Sequence, residues 1–125
     1  IKPSLEQGNH VVCDRFVESS FAYQVRGSVR PDLEKTFHVV DDITDGAKPD
    51  LYIVLDLDPK VANNRVAERK EFNRFDLLGE DYHGRVRRGI LEYVSDKTHV
   101  IVDASLNKEQ VAEKVLREIK TCLLQ

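Results

Sequence analysis

The chain has no methionine or tryptophan, only two cysteines, and only six glycines, none adjacent to another. Each scarcity excludes something. Cys13 lies inside an apolar run and Cys122 near the end, and neither has the close partner that a structural metal site or a disulfide-stapled domain requires; the pattern points to a reducing, cytoplasmic setting. His10, His38, His83 and His99 are equally scattered, so no metal-ligand spacing emerges. No apolar stretch approaches the roughly 20 residues of a helical membrane span, and no charged-then-apolar leader is present. Neither sign of charge dominates. Nineteen basic and 22 acidic residues, mixed along the chain, give a net charge of −3, which argues against a nucleic-acid-coating surface or an anionic-membrane binder. Any phosphate site must therefore be a local arginine cluster. No G-x-x-x-x-G-K-[ST] loop occurs within these residues.

What is present describes one soluble unit spanning residues 1–125, whole or as a piece of something larger: 41% hydrophobic and 33% charged residues suit a globular domain. The opening Ile1-Lys2-Pro3 reads as the last turn of a helix already under way, so an upstream segment is expected. His10-Val11-Val12-Cys13-Asp14 is a short apolar run ending in a charge, the pattern of a buried parallel strand whose carboxyl end opens onto a site. Leu51 to Leu57, closed by Asp58-Pro59, and Val100 to Val102, closed by Asp103, read the same way. Between them lie helical spacings: Leu33, Phe37 and Val40 after Pro31; Val61, Ala62 and Val66 after Pro59; and Leu78, Tyr82, Val86 and Ile90 in steps of four. A final helix starts near Asn107, with Gln110 placed to complete a capping box. It should bury Ala112, Val115, Leu116, Ile119 and Leu123. Apolar strands alternating with helices predict an α/β fold with a parallel sheet covered on both faces. Three strands are few for such a sheet, so the expected upstream segment should add at least one more.

The chemistry concentrates at Asp14-Arg15-Phe16, between the first predicted strand and a helix expected near Glu18. In open parallel sheets ligands bind beyond the carboxyl ends of strands, where the next helix presents backbone N–H groups to anions. Arg15 offers a planar fork for two phosphate oxygens, and Asp14 could hold magnesium through its water shell. An ion pair between the two on a loop is the simpler alternative. Beyond them Ser19, Ser20, Tyr23 and Gln24 are spaced to give one helical face two hydroxyls, a phenol and an amide, while Phe21 and Ala22 would pack the helix.

The string Cys13-Asp14-Arg15-Phe16, followed by Ser19-Ser20-Phe21-Ala22-Tyr23-Gln24, resembles the signature of the thymidylate kinase family. Pro3, Leu5 and Gly8, Lys48-Pro49-Asp50-Leu51 leading into Tyr52 to Asp58, Arg74, Arg85-Val86-Arg87, Leu91-Glu92 and Val102-Asp103-Ala104 resemble it in the same order, so the likeness covers essentially the whole chain. The resemblance implies a three-layer α/β/α nucleoside monophosphate kinase fold with its amino-terminal phosphate-loop part missing. It implies phosphoryl transfer from ATP to thymidine monophosphate (dTMP) with Mg2+, and a homodimer. By the same resemblance Arg15 grips the acceptor phosphate and Asp14 stands beside the transfer centre. Ser19, Ser20 and Gln24 line the base and sugar pocket, and Tyr23 sits by the deoxyribose. The family usually has glycines where Val25-Arg26 stand, which leaves the path near Gln24 open, with Gly27 a candidate for part of the turn.

Arg65, Arg69, Lys70 and Arg74 form a second basic group, interleaved with Glu68, Glu71 and Asp76, so a salt-bridged exposed helix end is the plain reading. The resemblance makes residues 69–79 the lid and Arg69 and Arg74 the contacts to ATP; Asn73-Arg74 replaces the Asp-Arg often found there. Arg85, Arg87 and Arg88 read as a solvated helix face. Two other function classes stay open: a haloacid-dehalogenase-type phosphatase, suggested by Asp56-Leu57-Asp58 but opposed by Pro59 and by Asp58 as a helix cap, and a non-catalytic nucleotide-binding or dimer-forming remnant. Without a phosphate loop the 125 residues alone are expected to be inactive.

Overall fold

A computed structural model describes residues 1–44, 47–67 and 78–124. Helix α1 covers Lys2–Glu6. A short helix, α2 (Val17–Ser20), passes directly into a π-helical turn at Phe21–Gly27, followed by a 3-10 turn at Pro31–Leu33 and helix α3 (Glu34–Ile43). Strand β1 (Tyr52–Asp56) leads to α4 (Pro59–Ala67), α5 (Gly79–Val94), β2 (His99–Asp103) and α6 (Lys108–Leu123). The strands are parallel, in register from Tyr52 opposite His99 to Asp56 opposite Asp103. Parallel neighbours need a long crossover, here supplied by α4 and α5. The fold is thus α/β.

Two of the three expected strands form. The third does not: residues 9–13 make no ladder among the described residues, and Val12 is 85% exposed. An apolar run becomes a strand only when a neighbouring edge accepts its backbone hydrogen bonds and covers its side chains. Among the described residues, β1 pairs only with β2.

The core is built on aromatics. Phe21, Phe37, Tyr52 and Tyr93 are buried with Val17, Val25 and Val94. Ring centroids lie 5.0 Å apart for Phe21 and Phe37 and 5.9 Å apart for Phe21 and Tyr93, in tilted arrangements that suit ring quadrupoles. Tyr93 also donates to Asp41 at 2.8 Å, which ties α5 to α3. A second group joins Ala22, Tyr82 and Val86, with Tyr23 and Ile90 packed against it. The expected steps of four in α5 are thus used at Tyr82 and Val86.

Close approach of α5 to the π turn depends on two glycines. A Cβ on Gly89 would stand 3.0 Å from Ala22 Cα, and one on Gly27 would stand 2.8 Å from Val86 Cγ2 and 2.9 Å from Tyr82 Cε2. Both neighbours of Gly27 are buried and have little room to withdraw. Gly27→Ala should therefore lower stability by about 1–2 kcal/mol through overpacking, read as a lower urea midpoint at unchanged m-value.

Helix α4 begins as the sequence predicts. Asp58 Oδ1 accepts the Lys60 N–H at 2.8 Å and Pro59 takes the first helical position. Helix α6 has the predicted capping box, Asn107 Oδ1 accepting from the Gln110 N–H at 2.9 Å. Its apolar face is not buried as expected: Leu116 and Leu123 are each 51% exposed and no α6 residue is buried. The spacing generates an apolar stripe correctly, but covering it needs a second surface, and α6 packs chiefly on β2.

Candidate active site

The turn before α2 holds Asp14 and Arg15, the residues that the sequence singles out. Arg15 has φ 65°, a left-handed backbone that costs an ordinary residue about 1–2 kcal/mol. Two contacts pin the peptide that follows it. Cys13 Sγ donates to the Arg15 carbonyl at 3.2 Å, and the Phe16 N–H donates to Glu18 Oε1 at 2.9 Å. The Arg15 guanidinium then stands 5.3 Å from the centre of the Tyr23 ring, a cation–π distance. Arg15 is exposed, and no ion pair holds it among the described residues. The simpler alternative of an Asp14–Arg15 ion pair therefore does not describe this turn. Asp14 is exposed beside it.

Tyr23 is held from below. Tyr82 packs against it edge-on at 6.4 Å and donates its hydroxyl to the Tyr23 carbonyl at 3.3 Å. Ser20 and Gln24 are exposed and open to a ligand. The Ser19 hydroxyl turns to the protein, donating to Glu18 Oε1 at 2.9 Å, so the structure does not bring it into the Arg15–Tyr23 pair. The Phe16 N–H is likewise taken by Glu18. Positive charge at this turn rests on the Arg15 side chain more than on the open helix end that the sequence suggests.

From Phe21 onward the chain widens from α to π geometry. An α-helical face counted at 3.6 residues per turn stops being a reliable guide there, and π turns concentrate at functional sites. Val25 is buried and Arg26 is clamped: it reaches Glu92 at 2.6 Å and Glu34 at 2.9 Å, and its guanidinium lies 4.5 Å from the Phe21 ring centre. Where the resemblance leads one to expect glycines, this chain has a packed valine and a tethered arginine.

Arg69 and Arg74, with residues 69–77 of the expected lid, lie outside the described residues. Arg65 does not join a phosphate site; it donates to the carbonyls of Ala104 at 2.7 Å and Ser105 at 3.0 Å, tying α4 to the turn after β2. The reading of Arg85 and Arg87 as a solvated face is corrected. Arg85 donates to the Gly27 carbonyl at 3.0 Å, and Arg87 makes a two-pronged pair with Asp56 at 2.6 and 2.7 Å. The Arg87 hydrogen bonds hold the Asp56 carboxyl below its usual range. These arginines point back to the protein because backbone carbonyls and a strand-end carboxylate lie within their reach, which charge pattern alone does not reveal. With Asp56 paired and Asp58 capping α4, neither carboxylate stands open as a phosphatase nucleophile.

A cavity of about 470 Å³ opens between the carboxyl end of β1 and the start of α5, lined by Asp58, Lys60, Glu80, Asp81, Arg87 and Arg88 among others. It is lined by both signs of charge and does not include Arg15 or Tyr23.

The family profile described as Thymidylate kinase matches residues 1–115. The chain belongs to the thymidylate kinase family. It is 36% identical over 121 residues to the thymidylate kinase of Mycoplasmoides gallisepticum, an alignment covering 95% of this chain and 57% of that protein. It is 35% identical over 129 residues to that of Halothermothrix orenii, covering 100% of this chain and 61% of that protein. For the thymidylate kinase of Bacillus cereus the figures are 37% over 131 residues, 99% and 61%. The chain thus spans about three-fifths of the length of the curated relatives it matches.

Sequence reasoning gave Cys13 and Glu18 no part in holding this turn, and it missed Tyr82 as a neighbour of Tyr23. Glu18, two residues from the N–H it accepts, was detectable as a local cap; the Tyr82 contact comes from α5 and has no local signal.

Proposed function

We propose that the protein containing this chain transfers the γ-phosphoryl group of ATP to the 5′-phosphate of thymidine monophosphate, releasing ADP and the nucleoside diphosphate. The observation carrying this reading is Arg15: an exposed guanidinium, unpaired by carboxylates among the described residues, standing over the Tyr23 ring. An arginine so placed can fork two oxygens of a monophosphate. Tyr23, with Ser20 and Gln24 nearby in the chain, would meet the nucleoside, and Ser19 would join them on turning from Glu18. Arg69 and Arg74 would close on ATP from the lid at 69–79.

Mg2+ suits a carboxylate that keeps the ion's water shell. Asp14 is exposed, and as a single carboxylate it would hold the ion through water and substrate phosphates. When bound, the ion would neutralise phosphate charge. The chain's own contribution is positioning: Arg15 fixes the acceptor phosphate and offsets charge on it.

The layered arrangement we infer places the β1–β2 sheet between helices. A homodimer is consistent with exposed apolar side chains on α3, where Val39 is 62% and Ile43 75% exposed. The two free cysteines agree with a cytoplasmic setting. No helix among the described residues is long and apolar enough to cross a membrane.

The test is twofold. The full-length protein should phosphorylate thymidine monophosphate in a coupled ADP-release assay, with other monophosphates turned over more slowly. The 125 residues alone should show no turnover, yet thymidine monophosphate should shift the NMR signals of Arg15, Ser20 and Tyr23. Absence of activity in the full-length protein would leave the non-catalytic remnant as the better reading.

A further inference from the structure

We propose that Glu18 and Cys13 are positioning residues for Arg15, holding its backbone in the left-handed conformation that aims the guanidinium over Tyr23. The functional half of this inference rests on the reading of Arg15 as the phosphate grip. Its structural half stands on geometry alone.

Arginine has no intrinsic preference for φ 65°; such a conformation persists only where the surroundings over-determine it. The Arg15–Phe16 peptide is gripped at both ends. Its carbonyl accepts from Cys13 Sγ at 3.2 Å and its N–H donates to Glu18 Oε1 at 2.9 Å. Rotating that peptide to relax Arg15 breaks both contacts together. Glu18 is itself fixed, because the same oxygen accepts the Ser19 hydroxyl at 2.9 Å. Its other oxygen, Oε2, is buried with no hydrogen-bond partner among the described residues. Leaving a carboxylate oxygen unpaired is unfavourable, so Glu18 is not in this orientation for its own hydration. A surface carboxylate with no task would turn Oε2 to water. The orientation observed instead gives Phe16 N–H and Ser19 Oγ both to Oε1. Glu18 touches no reacting atom in this scheme; it acts through Arg15.

The experiment compares Glu18→Gln, Glu18→Ala, Cys13→Ala and the Cys13→Ala/Glu18→Ala pair in the full-length protein. Backbone chemical shifts and couplings report the sign of φ at Arg15. Titrations with thymidine monophosphate and with thymidine report the two halves of the ligand. Glutamine keeps an oxygen for the Phe16 N–H, so Glu18→Gln should retain a left-handed Arg15 and bind the monophosphate within about twofold of the original. Glu18→Ala should release Arg15 to the right-handed region and weaken the monophosphate about tenfold, the scale of one charge-assisted hydrogen bond, while thymidine is unaffected. Cys13→Ala, at an exposed position, should lie between them. It keeps the test decisive should Glu18→Ala unfold.

A left-handed Arg15 that survives in the double variant, or in Cys13→Ala alone if the Glu18→Ala chains unfold, would overturn the proposal. So would an equal weakening of thymidine and its monophosphate, since that marks a general loosening of α2. If Arg15→Ala leaves monophosphate affinity unchanged while the backbone effect is present, the phosphate-grip reading fails and the positioning of Arg15 stands.

Discussion

Arg15→Ala is expected to weaken thymidine monophosphate binding about a hundredfold while leaving thymidine binding nearly unchanged. A two-pronged arginine–phosphate contact is two charge-assisted hydrogen bonds, and losing both corresponds to about 3 kcal/mol, or roughly a hundredfold. The nucleoside has no phosphate for Arg15 to hold. In the full-length protein the same variant should lose kcat/KM for the monophosphate by at least this factor, with the KM for ATP little changed. Equal losses for thymidine and its monophosphate would mean that Arg15 supports the fold of the pocket and does not grip phosphate.

Arg15→Gly separates site from stability. Glycine occupies φ 65° without the Cβ clash, so this variant should be more stable than Arg15→Ala by about 1 kcal/mol, with equally poor monophosphate binding. Val29 supplies the control. It has φ 53°, is β-branched and 63% exposed, so Val29→Gly should also gain stability yet keep monophosphate affinity. A strained arginine retained at one turn and a strained valine at another differ only in whether relaxing them removes a ligand contact.

Arg26→Ala should destabilise the chain by about 2 kcal/mol, measured by urea unfolding at neutral pH. The arginine joins three segments: it bonds Glu92 on α5 and Glu34 at the start of α3, and it covers Phe21 in the π turn. Its own side chain is 30% exposed, but Glu92 is 52% exposed, so solvent screening keeps each ion pair near the modest value of surface pairs. The loss sums two modest, screened pairs and the uncovering of an aromatic face. Glu92→Gln in the Arg26→Ala background should restore part of it by removing one of the two acids.

The pH dependence follows from the same contact. Hydrogen bonding to Arg26, opposed by partial burial and aided by its charge, holds the Glu92 carboxyl below its ordinary value. A depressed acid contributes stability above its unfolded value, about 4.3, and loses it as pH falls through the depressed one. Arg26 stays protonated throughout this range. The gap between the original chain and Arg26→Ala should therefore be full at pH 6 and narrow progressively below about pH 4. A gap independent of pH would assign the loss to packing against Phe21 alone.

Local chemistry is legible in the order of residues. Pro59 after Asp58 predicts the start of α4, Asn107 with Gln110 predicts the box on α6, and the apolar runs at 51–57 and 100–102 become paired parallel strands. Each depends on atoms a few residues apart or on a run that finds its neighbour. The run at 10–14 failed as a strand, and the α6 stripe failed as a buried face, because hydrophobic pattern states what a segment can cover without saying whether anything covers it. Arg85 and Arg87 failed as a solvated face for the converse reason: their acceptors, Gly27 and Asp56, lie far away in sequence.

By itself, then, the amino-acid sequence determined the family and the α/β alternation, and it singled out Arg15 with Ser19, Ser20, Tyr23 and Gln24 as candidates. The tertiary structure alone decided that Arg15 is left-handed and open while Ser19 is turned inward, that the helix widens at Phe21, and that Arg26 is a strut. Those outcomes depend on which donors and acceptors meet across the fold, and a hydrogen bond or cation–π contact is set by ångström distances between side chains that spacing along the chain does not encode.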